Sequence, residues 1–196
     1  MDELSTPVSI FIYNRYEITL KLFEILKKIK PKKLIISADG PKDINDLEKC
    51  LKTRGIFKII PWDCHVEYNY RKKNIGCNLN LLNGISFTFK NYDKAIFLED
   101  DCHPNLSFFK FCENLLDKYE NDKRISIISG VNFMHGINNK DVLYKNYSYY
   151  FSSYNLIWGW ATWKRTWNNF DFESKLENDY LKSNLFLSKF NFYQRL

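Results

Sequence analysis

The chain has 196 residues, 45% hydrophobic and 27% charged, with a formal net charge of +6. That length allows one ordinary domain with its own core, and the balance excludes a disordered chain. The basic residues are dispersed, with only short clusters at 27–33 and 71–73, so the excess reads as a solvated surface suited to anionic small molecules rather than to nucleic acid. The five cysteines, Cys50, Cys64, Cys77, Cys102 and Cys112, are odd in number and lack C-x-x-C spacing. They exclude a disulfide framework and a zinc site and read as reduced thiols in a cytoplasmic protein. The N-terminal apolar run is too short for a signal peptide, and no run of 18 apolar residues predicts a membrane span. Aromatics are high at 17%, enough to supply a ligand surface as well as a core.

In chain order, Val8–Tyr13 is apolar and β-branched and predicts a buried strand. Asn14 offers a helix cap, Ile18, Leu22, Leu26 and Ile29 repeat at helical spacing, and Pro31 stops that helix. Leu34–Ser37 predicts a second strand running into Asp39-Gly40, and Ile44–Leu51 a second helix. His65–Tyr70 alternates as a third strand, Arg71–Gly76 is a loop, and Leu79, Leu82, Ile85 and Phe89 mark a third helix. Ala95–Leu98 is a fourth strand, Asn105 caps a helix burying Phe108, Phe109, Cys112, Leu115 and Leu116, and Ile125–Ser129 is a fifth strand. Strands alternating with helices predict an α/β domain with a mainly parallel central sheet flanked by helices, a Rossmann-like arrangement. Ligands of such sheets bind at the carboxyl ends of the strands. There the chain carries Asn14-Arg15, Asp39-Gly40, Arg71, Glu99-Asp100-Asp101 and Gly130-Val131-Asn132.

The acidic triplet is the sharpest signal. Three adjacent carboxylates repel one another and add nothing to a core. They make sense around a hard divalent cation such as Mg²⁺ or Mn²⁺, which binds one or two carboxylates together with a ligand's phosphates. Nearby Arg15 and Arg71 suit a diphosphate. The alternative is an exposed acidic turn at the start of the next helix, where negative charge is mildly favourable. Spacing alone leaves both open. His103, two residues after Asp101, suits a cap or solvent, and His65 and His135 have no partner visible in sequence.

"FLEDDCHPNLSFFKFC" resembles the acidic metal motif and following helix of GT-A-fold glycosyltransferases. It is most similar to the N-acetylglucosaminyltransferase I branch and to related bacterial nucleotide-diphospho-sugar transferases. "PVSIFIYNR", "ISADGPK", "NYRKKNIGCNLNLLNGI", "ISGVNF" and "YYFSSYNLIWGWATWKRTW" resemble other segments of that family in the same order. The resemblance covers about residues 7 to 170, within the usual size of a domain.

The resemblance implies a GT-A-like nucleotide-sugar-binding domain over 1–170, followed by a helical segment over 171–196 that begins an acceptor-side region. Arg15 and Asp39 would contact the nucleotide base, usually uracil, with Asn14 beside them. Glu99 would approach the donor sugar, Asp100 the ribose, and Asp101 the metal, Mn²⁺ or Mg²⁺. Arg71, Asn74 and Gly76 would shape the wall of the site, and Trp158, Gly159 and Trp160 the donor-sugar and acceptor pocket. The implied activity is inverting transfer of a sugar, expected from a UDP-sugar, to a glycan or glycolipid acceptor in bacterial surface polysaccharide synthesis. The implied place is the cytoplasm or the inner face of the plasma membrane. The family's catalytic base falls in a segment expected beyond Leu196, with Asp179 the nearest candidate within the chain. A donor-binding fragment or subunit without that base is the alternative. From spacing, Trp160, Trp163 and Trp167 are expected on one face of a helix, Trp163 and Trp167 as core.

Overall fold

A computed structural model describes residues 3–132 and 147–171. The elements follow in chain order as β1 (Val8–Ile12), α1 (Tyr16–Ile29), β2 (Lys33–Ala38), α2 (Ile44–Gly55), β3 (His65–Tyr70), α3 (Cys77–Asn91), β4 (Lys94–Glu99), α4 (Leu106–Lys118), β5 (Ile127–Ser129), β6 (Trp160–Trp163) and α5 (Lys164–Trp167). The described strands form one open six-stranded sheet in the order β3-β2-β1-β4-β6-β5. The first four are mutually parallel, and β6 runs antiparallel to both β4 and β5. The protein is therefore α/β with a mixed sheet flanked by helices.

β1 is buried at every residue, as a central strand covered on both faces must be. On one face Leu22 and Leu26 of α1 and Phe109, Cys112 and Leu116 of α4 pack against Ile10, Ile36 and Leu98. On the other, Ile85 and Phe89 of α3 close over Phe11 and Phe97. α1 ends where Lys30 turns left-handed (φ 51°), one residue before Pro31, and its N–H bonds the Leu26 carbonyl. Asp43 caps the start of α2 by accepting from the Asp46 amide, and the helix runs to Gly55, beyond the expected Leu51, with Thr53 buried on its inner side. Asn105 occupies the cap position of α4 but makes no capping bond through its side chain. No helix among the described residues is long and apolar enough to cross a membrane.

The tryptophan segment differs from expectation. Trp160–Trp163 is a strand, not a helix, paired with β4 from Lys94↔Trp163 to Phe97↔Trp160. A spacing of three puts residues on opposite faces of a strand. Accordingly Trp160 stacks on Phe97 with ring centroids 4.9 Å apart. Trp163 enters the other core, 2% exposed, and its indole N–H donates to the Leu116 carbonyl. Only Lys164–Trp167 is helical, and Trp167 is partly buried rather than core, its indole N–H donating to Ser86. Aromatic and β-branched residues suit a pleated surface, and W-A-T-W supplies them where β4 needs a neighbour.

Candidate functional site

Strand order decides where the crevice lies. β2 and β4 flank β1 on opposite sides, so the carboxyl ends of β1 and β4 are the place where an open α/β sheet takes a ligand, and Arg15 spans the gap between them to reach Asp100 and Asp101. The two segments at that gap are Asn14-Arg15 and Glu99-Asp100-Asp101. Because β5 runs parallel to β4, Gly130 lies at the same edge, and β6 enters the sheet from it. Trp158 and Gly159 therefore join the five loops expected there. Gly159 adopts φ +72°, a conformation that favours glycine, and its carbonyl accepts from the Gly130 amide. Trp158 is exposed.

The three acids have different surroundings. Asp100 is 2% exposed, and the Arg15 guanidinium grips it through two nitrogens while Thr19 donates from 3.4 Å. Asp101 points outward, 41% exposed, with Arg15 Nη2 at 3.1 Å. Glu99 is half-buried at the end of β4. Burial, followed by the charges of Asp101 and Asp100, pushes its carboxyl above the ordinary range. Burial also pushes Asp100 up, against the opposing pull of Arg15. One guanidinium thus contacts Asp100 and Asp101 and reaches Glu99 only through space, and the group is short of positive charge.

The donor set consists of carboxylate oxygens, two of them on the partly exposed side chains of Glu99 and Asp101, and hard oxygen ligands fit Mg²⁺ or Mn²⁺. Among the described residues no three His, Cys, Asp or Glu side chains converge into a cage. An ion here would be held by Asp101 and Glu99 and would complete its shell from water and a phosphate-bearing ligand. His103 turns aside: its Nε2 lies 3.2 Å from the Ile18 carbonyl and ties the loop to α1.

Asp39 is spent on architecture. It is 5% exposed, and its oxygens accept from the amides of Gly40, Ile75 and Gly76 and from the Asn74 side chain, all at 2.8–3.0 Å. A carboxylate has about four acceptor positions, so all are filled. A base N–H would reach Asp39 only by displacing part of the 74–76 loop. A side chain at Gly40 would meet the Lys73 backbone at 2.3 Å, so this loop packs on Gly40 as closely as it does only because no Cβ is there. Asn14 is likewise committed, donating to Asp46 from 2.6 Å. Arg71 is anchored through its main chain, and its buried Nε has no hydrogen-bond partner among the described residues.

Three residues at this edge were not signalled as site residues by the sequence. Asp46 takes the Tyr13 hydroxyl, the Asn14 amide and the Lys42 N–H, fastening α2 beneath the β1 loop. Arg54 donates to the carbonyls of Asp39 and Arg71, joining the ends of β2 and β3. Cys77, exposed in the first turn of α3, has its thiol pushed up by partial burial and by the negative charge of Glu99 and Asp39. The candidate base Asp179 lies outside the described residues, as do His135 and 172–196. No protein-family model matches this chain, and no curated protein matches its sequence.

Proposed function

We propose that the chain is a metal-dependent glycosyltransferase of the GT-A type, moving a sugar from a UDP-sugar to a glycan or glycolipid acceptor with inversion at the anomeric carbon. The observation that carries this reading is the acid group at the carboxyl end of β4, short of positive charge and set where an open α/β sheet takes a ligand. A structural acid group would bring its own donors, and this one offers partly exposed carboxylate oxygens. The ordered resemblance to the family supports the same reading.

On this reading Asp101 and Glu99 hold the divalent ion, which supplies neutralisation of the charge that develops on the departing diphosphate. Asp100 and Arg15 fix the floor of the crevice. Asp39, through its loop, sets the wall at Asn74–Gly76 rather than taking the base directly. Trp158 offers an exposed aromatic face to sugar C–H groups at the same edge. An acceptor hydroxyl attacks the anomeric carbon while a carboxylate base takes its proton, a contribution of about 10²–10⁴ in rate.

The test is transfer from a panel of UDP-sugars, in Mn²⁺, to an extract of bacterial surface glycans, read by mass. Transfer from one donor, lost in EDTA and in Asp101→Asn, is the expected result. Donor binding without transfer would mark the chain as a donor-binding module. Absence of both would end the proposal.

A further inference from the structure

Beyond Arg15 from the acid group, the first turn of α1 and the side of α2 enclose an open groove of about 320 Å³. Tyr16, Glu17 and Ile18 line one side, Lys49 and Lys52 the other, and Arg15 stands at the boundary with the crevice. Lys49 and Lys52 are three apart on α2, so they share one side of the helix. No salt bridge or hydrogen bond among the described residues involves either ammonium group. Lys52 Nζ sits 4.2 Å above the Tyr16 ring, a contact that holds the ammonium in the groove without cancelling its charge. The Arg15 guanidinium is already committed to Asp100 and Asp101. Against the two lysines the lining sets one carboxylate, Glu17. The crevice lacks positive charge, whereas the groove beside it has an excess.

We infer that this groove is a phosphate-binding site, separate from the acidic crevice, taking the phosphate ester of a small molecule or of a lipid headgroup. A phosphate monoester near neutral pH carries close to two negative charges and can meet both ammonium groups, where a carboxylate meets one. Lysine binds phosphate as a point charge and needs no fixed fork geometry. The volume lies at the small end of ligand pockets, enough for one phosphorylated group and its neighbouring carbons. Phosphate binding by the groove needs no assumption about what the acidic crevice binds, and only its separateness from the crevice rests on the UDP site proposed above.

The experiment titrates the protein with glycerol 3-phosphate, with glycerol as control. In parallel it measures co-sedimentation with vesicles containing phosphatidic acid, whose headgroup is a phosphate monoester, with phosphatidylcholine vesicles as control. The wild-type chain binds at least one phosphate probe and neither control, and the probe that binds names the source. Replacing both lysines (Lys49→Glu, Lys52→Glu) weakens that binding by about tenfold for each lysine removed. The pair Lys49→Arg, Lys52→Arg keeps it, and Lys58→Glu, which changes an exposed charge outside the groove, leaves it unchanged. UDP in Mn²⁺ binds the double glutamate variant as it binds the wild type. Binding of neither probe overturns the inference. So does an equal loss in Lys58→Glu, which would make the attraction a general surface effect. A parallel loss of UDP binding overturns the separateness of the site and makes the groove part of the crevice.

Discussion

Two sets of buried acids in this molecule have opposite fates. Asp46 and Glu113 arrive with donors. Burial alone would raise the Asp46 carboxyl, but bonds from Tyr13, Asn14 and the Lys42 amide outweigh it and hold the pKa at about 2. Glu113 Oε1 accepts from the amides and hydroxyls of both Ser5 and Thr6, and despite burial its pKa falls below the ordinary carboxylate value. At the end of β4, Glu99 and Asp100 are pushed up instead. An acid that serves the fold is saturated by the chain, whereas the β4 acids have a single guanidinium near them, in contact with Asp100 and Asp101 alone. That deficit separates a candidate metal site from a structural one better than the count of carboxylates does.

The largest effect expected from this contrast is on stability. Asp46→Ala removes a buried carboxylate that accepts from the half-buried Tyr13 hydroxyl and Asn14 amide and from the Lys42 N–H, and costs about 3 kcal/mol in chemical denaturation. A loss under about 0.5 kcal/mol, the scale of an ordinary surface substitution, would break the comparison at its structural end. Next in size is ligand stabilisation. UDP with Mn²⁺ at a hundred times the dissociation constant stabilises the wild type by about 2.7 kcal/mol, read as a thermal shift. Asp101→Asn removes the metal-dependent part of that shift. Acid titration gives a smaller signal. Asp46 is lowered from 3.8 to about 2, so its contribution is present above pH 3.8 and lost as the pH falls through 2. The stability slope between those values flattens in Asp46→Ala. The smallest effect is at Glu99, whose raised carboxyl makes its charge a cost to the fold. Glu99→Gln gains stability at neutral pH, by less than the changes above, and the gain fades as the pH falls through the raised native value toward the ordinary one. A loss at neutral pH instead would place Glu99 with Asp46 as a structural acid.

Much of the fold was legible because its signals are local. β1, β2 and β4 are short apolar runs, and the Leu22–Leu26 and Phe108–Leu116 stripes have a helical period, so the α/β alternation and the shared edge of the loops followed. β6 was not legible, since three-residue spacing between tryptophans fits a helix as well, and its partner β4 lies far away in sequence. The acids at 99–101 stood out as three charges at a strand end, but nothing there showed that Asp100 turns inward to Arg15 while Asp101 turns out. Asp46 gave no sign because its donors, Tyr13 and Asn14, are 33 and 32 positions away. Asp39 was visible as a strand-end acid, yet its use depends on amides at Ile75 and Gly76, 36 and 37 positions on.

The most direct test of the central claim, that the β4 acids lack a cation which a metal supplies, is a calorimetric titration of UDP into wild type and Asp101→Asn, each in Mn²⁺ and in EDTA. The account predicts that wild type in Mn²⁺ binds at least about tenfold tighter than in EDTA, the scale of one charge-assisted contact. It also predicts that Asp101→Asn in Mn²⁺ matches wild type in EDTA while remaining as stable as the wild type. Equal wild-type affinity in the two buffers would contradict it.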